Sequence, residues 1–261
     1  MIQKEIRMSN GIVPGNYQNL HLANIWGEFI DWEKRRKGEN GFLVRALQEY
    51  GAKTVLEASL GDGCDSIYLI KQGFDVTSNE LDSVFRETAI ENARKENVDL
   101  KITTLDWRAL DAQFSNNHFD AVILLGNSIT YLFTKQDQLA ALRQFKKILK
   151  LDGVLIIDER NYQYILDHRN EIAAGKFEYS GKYVYCGERV HARPIEIHDD
   201  SVIFEYRHQE TGERGTLTMY PFKRGELRQR LRESGFVSIQ QFSDYKEGEN
   251  GKADFYQYVC Q

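Results

Sequence analysis

Proline is scarce in this chain, 3 residues in 261, and no repeat or low-complexity linker interrupts it. Cysteine is equally sparse: Cys64, Cys186 and Cys260 are far apart and odd in number. No CxxC pair occurs, so neither a disulfide framework nor a zinc site is indicated. Excess basic charge is missing too, with 34 Lys and Arg against 39 Asp and Glu and a net charge of −5. That balance argues against nucleic acid as the main partner. The run Lys34-Arg35-Arg36-Lys37 reads as a solvated face. No apolar run approaches membrane-spanning length and the N-terminus has no signal-like apolar region, so a cytoplasmic protein is expected. The six histidines are scattered, without a constellation for a metal or a catalytic triad.

What is present is an alternation. TVLEA (54–58), FDVTS (74–78), KITTLDW (101–107), FDAVILLGN (119–127) and VLIID (154–158) read as strands. Helical periods lie between them, among them CDSIYLIKQG, stopped by Gly73, and a polar stretch over roughly 82–97. In QDQLAALRQFKKILK, Leu139, Leu142, Phe145 and Leu149 mark an amphipathic helix. This βαβ rhythm predicts an α/β fold with a parallel sheet covered on both faces. After residue 170, antiparallel-type alternation takes over in KFEYSGKYVYCGERV, IEIHDDSVIFEYRH and GTLTMYPF, with turns at 198–200 and 211–212. A last helix in GELRQRLRESGF and a closing strand in ADFYQYVCQ follow. The expected organisation is an N-terminal helical segment (1–53), a nucleotide-binding-type core (54–168), an antiparallel insertion (169–222) and a C-terminal helix with strands that complete the core sheet (223–261).

The loop SLGDGCDS after the first strand carries Gly61 and Gly63, which let the backbone turn sharply and approach a ligand. Glu80, seventeen residues beyond Gly63 at the end of the second strand, can accept both hydroxyls of a ribose. A dinucleotide fingerprint wants a third glycine, and Ser66 stands in its place. The spacing from Glu57 through Gly61 to Gly63 suits S-adenosylmethionine (SAM), which has no pyrophosphate to cradle. Asp106-Trp107, closing the third strand, can meet an adenine by its amino group and its face. The charged triplet Asp158-Glu159-Arg160, directly after a buried strand, is either a solvated loop or the lip of a binding site.

VLEASLGDGCDSI, GFDVTS, FDAVILLGNS, VLIIDERNYQYIL and the Glu205-Tyr206 pair stand in the order of the glycine N-methyltransferases. The chain most resembles the glycine/sarcosine N-methyltransferases of betaine synthesis, from about Tyr17 to the C-terminus. The resemblance implies a Rossmann-like class I SAM-dependent methyltransferase sheet with an inserted antiparallel flap, S-adenosylhomocysteine as coproduct, and glycine and sarcosine as substrates. It implies that Tyr17, Trp26 and Arg36 close over SAM, that Ser59, Gly61 and Gly63 line its methionine part, and that Glu80 holds the ribose. Asp106 and Trp107 face the adenine, and Leu125 supplies backbone contact near the sulfonium. Substrate positions map to Asn127, Arg160 and Tyr206, with Tyr179 and Tyr220 as further candidates for the pocket wall.

Several positions depart from the family pattern: Glu57 and Glu80 stand where Asp is usual, and Asp106 where Asn is usual. Phe29 replaces the tyrosine of mammalian-type members, and Met219 holds an aromatic position. Arg160 fits the chemistry, because a guanidinium forks onto a carboxylate and fixes its orientation. Tyr17, near the transferred methyl, can offer a hydroxyl to its polarised hydrogens. A methyltransferase for dimethylglycine or another small amino acid is the neighbouring reading. An NAD-linked dehydrogenase and a SAM-sensing binding protein are the other classes the pattern allows.

Overall fold

The computed structural model describes residues 20–176 and 188–261. Tyr17, Tyr179 and most of KFEYSGKYVYCGERV lie outside the described residues. Three helices lead the chain, α1 (Leu20–Phe29), α2 (Trp32–Glu39) and α3 (Phe42–Glu49). The alternating core follows as β1 (Thr54–Glu57), α4 (Cys64–Lys71), β2 (Asp75–Asn79), α5 (Ser83–Lys95), β3 (Lys101–Thr103), β4 (Phe119–Leu124), α6 (Lys135–Ile148) and β5 (Leu149–Arg160). Two short helices, α7 (Tyr162–Asp167) and α8 (Arg169–Ala173), precede strands β6 (Val190–Ile197), β7 (Val202–His208) and β8 (Arg214–Met219). Helix α9 (Glu226–Glu233) and strands β9 (Ile239–Ser243), β10 (Lys246–Glu247) and β11 (Phe255–Cys260) close the chain.

The main sheet runs β10-β9-β11-β5-β4-β1-β2-β3, and β6-β7-β8 form a separate antiparallel sheet. Strands β5, β4, β1, β2 and β3 are parallel, and β11 enters antiparallel beside β5. Chain direction across the sheet reverses between β1 and β4, where an open α/β sheet leaves a crevice at its carboxyl edge. The apolar runs of these strands are covered on both faces. Leu56, Val122, Leu155 and Ile157 pack with Leu142 and Phe145 of α6 and with α9, while Val55, Ala121 and Ile156 pack against α3 and α4. Full burial of such side chains stabilises by roughly 1.5–3 kcal/mol each. A third cluster joins Ile25 and Phe29 of α1 to Tyr206, Leu217 and Met219 of the small sheet.

Four sequence expectations change. The third strand stops at Thr103, and Asp106 instead caps a 3-10 turn over Trp107–Ala112 by accepting from the Arg108 backbone N–H at 2.8 Å. Leu149 leaves the α6 stripe to begin β5, and Gln138, Ala141 and Ile148 complete the buried face with Leu142 and Phe145. The basic run is divided. Lys34 and Lys37 are exposed, whereas Arg35 is buried and Arg36 half-buried against Asp65. The triplet Asp158-Glu159-Arg160 is no loop: β11 pairs Gln257, Tyr256 and Phe255 with it, and all three charged residues are buried.

Candidate active site

The crevice above β1 and β4 is a cavity whose walls come from α1, α2, the β1–α4 loop, the end of β2, the start of α5 and the turn after β4. Gly61 (φ +55°) and Gly63 (φ +91°) both take the left-handed region that bends the loop. A Cβ on Gly63 would stand 3.2 Å from the Ala89 side chain, so this glycine serves the close approach of α4 and α5 rather than the cavity. Ser66 explains its own position. Its hydroxyl bonds Glu57 at the end of β1 and lies 2.7 Å from the Ser78 hydroxyl of β2, pinning the first turn of α4 to both strands.

Carboxylates dominate the lining, with Glu57, Asp62, Asp65, Glu80 and Asp82 against the single guanidinium of Arg35 among the described residues. Burial drives the Glu57 carboxyl well above its ordinary value, with Asp65 adding to the effect. Burial also pushes Asp65 up, but Arg35 and Arg36 overcome it and hold this carboxyl below the usual range. Arg35 reaches Asp65 at 2.5 Å inside the protein, so α2 is fastened to the start of α4 by a buried ion pair. Asp62 accepts from the Trp32 indole at 2.9 Å, a second clasp between the same two elements.

Glu80 bridges the loop and α5. One oxygen accepts from the Gly61 N–H and the other from the Asp82 N–H, both at 3.0 Å. Burial nevertheless holds its carboxyl above the ordinary value. A carboxylate has about four acceptor positions, so each oxygen keeps one for a ligand hydroxyl. Trp107 donates its indole N–H to the Ala58 carbonyl at 2.6 Å, which fixes the ring as a cavity wall. Ser59 donates to the Leu125 carbonyl at 3.2 Å and ties the two strand-end loops together.

A second group lies beyond Leu125 and Gly126. Asn127 sits in the left-handed region (φ +65°), a conformation that its neighbour Asp158 supports by accepting from the backbone N–H of Gly126 at 3.2 Å and of Asn127 at 2.6 Å. The Asn127 side chain is fully engaged. Its oxygen accepts from the Arg160 N–H at 2.9 Å, and its amide donates to the Tyr162 hydroxyl at 2.6 Å and the Met219 sulfur at 3.2 Å. The Arg160 guanidinium lies over Phe255, 4.5 Å from the ring centroid, and 5.3 Å from that of Phe204. Tyr206 is buried beside it in the apolar cluster, edge-on to Phe29 at 4.9 Å and tilted against Trp26 at 5.7 Å.

A methyltransferase-domain family model matches residues 55–153, the stretch that supplies most of the cavity lining. The chain is 36% identical over 249 residues to a glycine/sarcosine N-methyltransferase of Aphanothece halophytica, covering 94% of this chain and 91% of that one. A protein of the same name from Parasynechococcus marenigrum is 37% identical over 250 residues, covering 94% and 86%. The chain belongs to the glycine/sarcosine N-methyltransferase family. Its fold is that of the SAM-dependent methyltransferases: one such enzyme from Clostridium acetobutylicum superposes with a TM-score of 0.69 over 92% of this chain and 97% of that one, at 17% identity.

Within this family member, Trp26, Ser59, Gly61, Glu80, Trp107 and Leu125 all line the cavity. Four expected cofactor or wall residues do not, Gly63 among them, and the substrate candidates Asn127, Arg160 and Tyr206 also lie outside this lining. Arg36 points away, paired with Asp65 and Glu39 and stacked on Tyr68, and Arg35 takes the lining position one residue earlier. Asp106 is turned to Arg108, which it meets at 2.5 Å. Tyr220 donates its hydroxyl to Glu226 at 2.8 Å, on the α9 side. Sequence reasoning missed Arg35, Asp62, Asp65, Asp158 and Tyr162. The only trace of the first three was an Asp-x-x-Asp spacing at a helix start, with a basic run thirty residues earlier.

Proposed function

We propose that this protein transfers methyl groups from SAM to glycine and then to sarcosine, giving dimethylglycine in betaine synthesis in the cytoplasm. The observation that carries the reading is Arg160. Its guanidinium is buried between ring faces at the carboxyl end of β5, beside an Asn127 locked in place by three hydrogen bonds. The names of the full-length relatives support the same substrates.

The acceptor-rich cavity fits SAM, since its walls offer carboxylates to a sulfonium and to ribose hydroxyls. When bound, SAM supplies an electrophilic methyl group. Glu80 is the ribose acceptor, Trp107 the adenine wall, and Ser59 with Leu125 the rim near the reacting carbon. Trp26 and Arg35 line the cavity from α1 and α2, which supports a closing role for the N-terminal helices. On the substrate side, Arg160 takes the carboxylate and Tyr206 closes the pocket. With the carboxylate held by Arg160, the neutral amine of the substrate would be directed at the methyl that SAM would supply. The amine afterwards releases a proton. Alignment carries most of the catalysis, because positive charge only moves from sulfur to nitrogen.

The test is transfer of labelled methyl from SAM to glycine, sarcosine and dimethylglycine in separate reactions. Label on the first two supports the reading, and label on dimethylglycine alone moves the protein to the last methylation. Arg160→Ala should abolish transfer to glycine and leave SAM binding nearly intact. Loss of SAM binding instead removes Arg160 from the substrate side.

A further inference from the structure

A second cleft, of about 210 Å³, opens beside the end of β5 and shares no lining residue with the SAM cavity. Residues 159–163 form one wall, and the turn into α9 forms the opposite one. Arg160 also borders this cleft, but alternation along β5 turns its guanidinium with Phe255 toward the small sheet, whereas Glu159 points with Tyr256 and Tyr258 toward α9.

The polar groups here are unfinished. Glu159 is buried, one carboxyl oxygen accepts from the Tyr258 hydroxyl at 2.6 Å, and the other oxygen is buried with no partner. The Arg228 Nε on α9 is likewise buried and unpartnered. Lys223 and Arg224 use only their backbone N–H groups, toward Glu226 and Gln163, and among the described residues their side chains make no hydrogen bond or ion pair. Native proteins keep few buried polar atoms unsatisfied, and those that persist mark places where a water, an ion or a ligand can complete them.

We infer that this cleft binds a small organic carboxylate, with Arg228 as its cationic contact and the free oxygen of Glu159 as its floor. Burial pushes the Glu159 carboxyl up to about 8, so at neutral pH it carries a proton. With one oxygen already accepting from Tyr258, that proton is available on the other to donate to a ligand oxygen. Three cations at the turn attract an anion and repel the ammonium of glycine, which separates this site from the methyl-transfer site. Glu249 on the rim and the ring of Tyr256 favour a singly charged anion with a carbon body over a phosphate dianion.

The experiment titrates isotope-labelled acetate into the full chain at pH 7, followed by ligand-observed NMR, with saturating glycine and S-adenosylhomocysteine present. Acetate should still bind, and Arg228→Ala should weaken it by about tenfold or more, as loss of a charge-assisted contact implies. Arg228 touches neither the SAM cavity nor Arg160's ring partners, so kcat and KM for glycine in acetate-free buffer should not change. Glu159→Gln keeps a neutral donor on the floor and should retain binding. Displacement of all acetate by glycine, native affinity in Arg228→Ala, or binding of inorganic phosphate in preference to acetate would each overturn the inference.

Discussion

Replacing Glu80 by glutamine looks conservative, and the geometry says it is not. Both carboxylate oxygens already accept a backbone N–H, from Gly61 and from Asp82, at 3.0 Å each. An amide offers one acceptor oxygen and one NH2 group, so either the Gly61 or the Asp82 N–H must face a donor. The remaining oxygen is neutral, and only one ribose hydroxyl finds an acceptor. Loss of one charge-assisted hydrogen bond is worth roughly 1.5–3 kcal/mol. SAM affinity should therefore fall roughly 10- to 150-fold in Glu80→Gln. Calorimetric titration with SAM and S-adenosylhomocysteine measures it, with the melting temperature of the free protein recorded alongside. Burial holds the carboxyl above its ordinary value. Native affinity should thus decline on acidification at a higher pH than an exposed glutamate gives, and the variant should lack that decline. A SAM dissociation constant within about threefold of native at pH 7.5, in a variant that melts normally, would refute the assignment of Glu80 to the ribose.

Tyr162→Phe removes the hydroxyl that accepts from Asn127 and donates to the Met219 sulfur at 3.2 Å. A buried donor left with only a sulfur partner costs about 1–3 kcal/mol; thermal melts should show the loss, and the KM for glycine should rise as Asn127 loosens. Unchanged melting and kinetics would mean the Asn127 orientation does not depend on Tyr162. Asp65→Ala strands Arg35 and Arg36 without their shared carboxylate and should destabilise by about 3–5 kcal/mol in denaturant unfolding. A loss below about 1 kcal/mol would show that α2 is not held by this pair. Glu159 titrates near 4.5 in an unfolded chain and about 8 when buried here, so the folded state holds its proton more tightly. Its contribution to stability is complete below pH 4.5 and is lost as pH rises to about 8. Glu159→Gln has no proton to lose. It should gain on the native protein by a few kcal/mol across that window, and parallel stability curves would contradict the burial argument.

The alternating apolar runs were enough to specify the parallel core, because strands buried on both faces must be continuously apolar and the helices between them must be amphipathic. The glycine loop and Glu80 were legible for the same kind of reason: backbone turning and strand-end placement are local properties. The charged residues behaved differently. Asp158, Glu159 and Arg160 are adjacent in the chain and identical in appearance to a solvated loop. Only the arrival of β11 makes them a strand whose alternate side chains take opposite faces of the sheet. Asp158 supports the Asn127 turn, Glu159 meets Tyr258 on the α9 side, and Arg160 lies over Phe255 on the side of the small sheet. The choice between Arg35 and Arg36 was equally out of reach, since it depends on how α2 rotates against Asp65. Sequence by itself determined the fold and the family, and it pointed to a cofactor frame and to candidate substrate-side residues. Which charges are buried, with whom they pair and which face they serve was decided by tertiary packing, because desolvation and pairing belong to the assembled neighbours rather than to the residue.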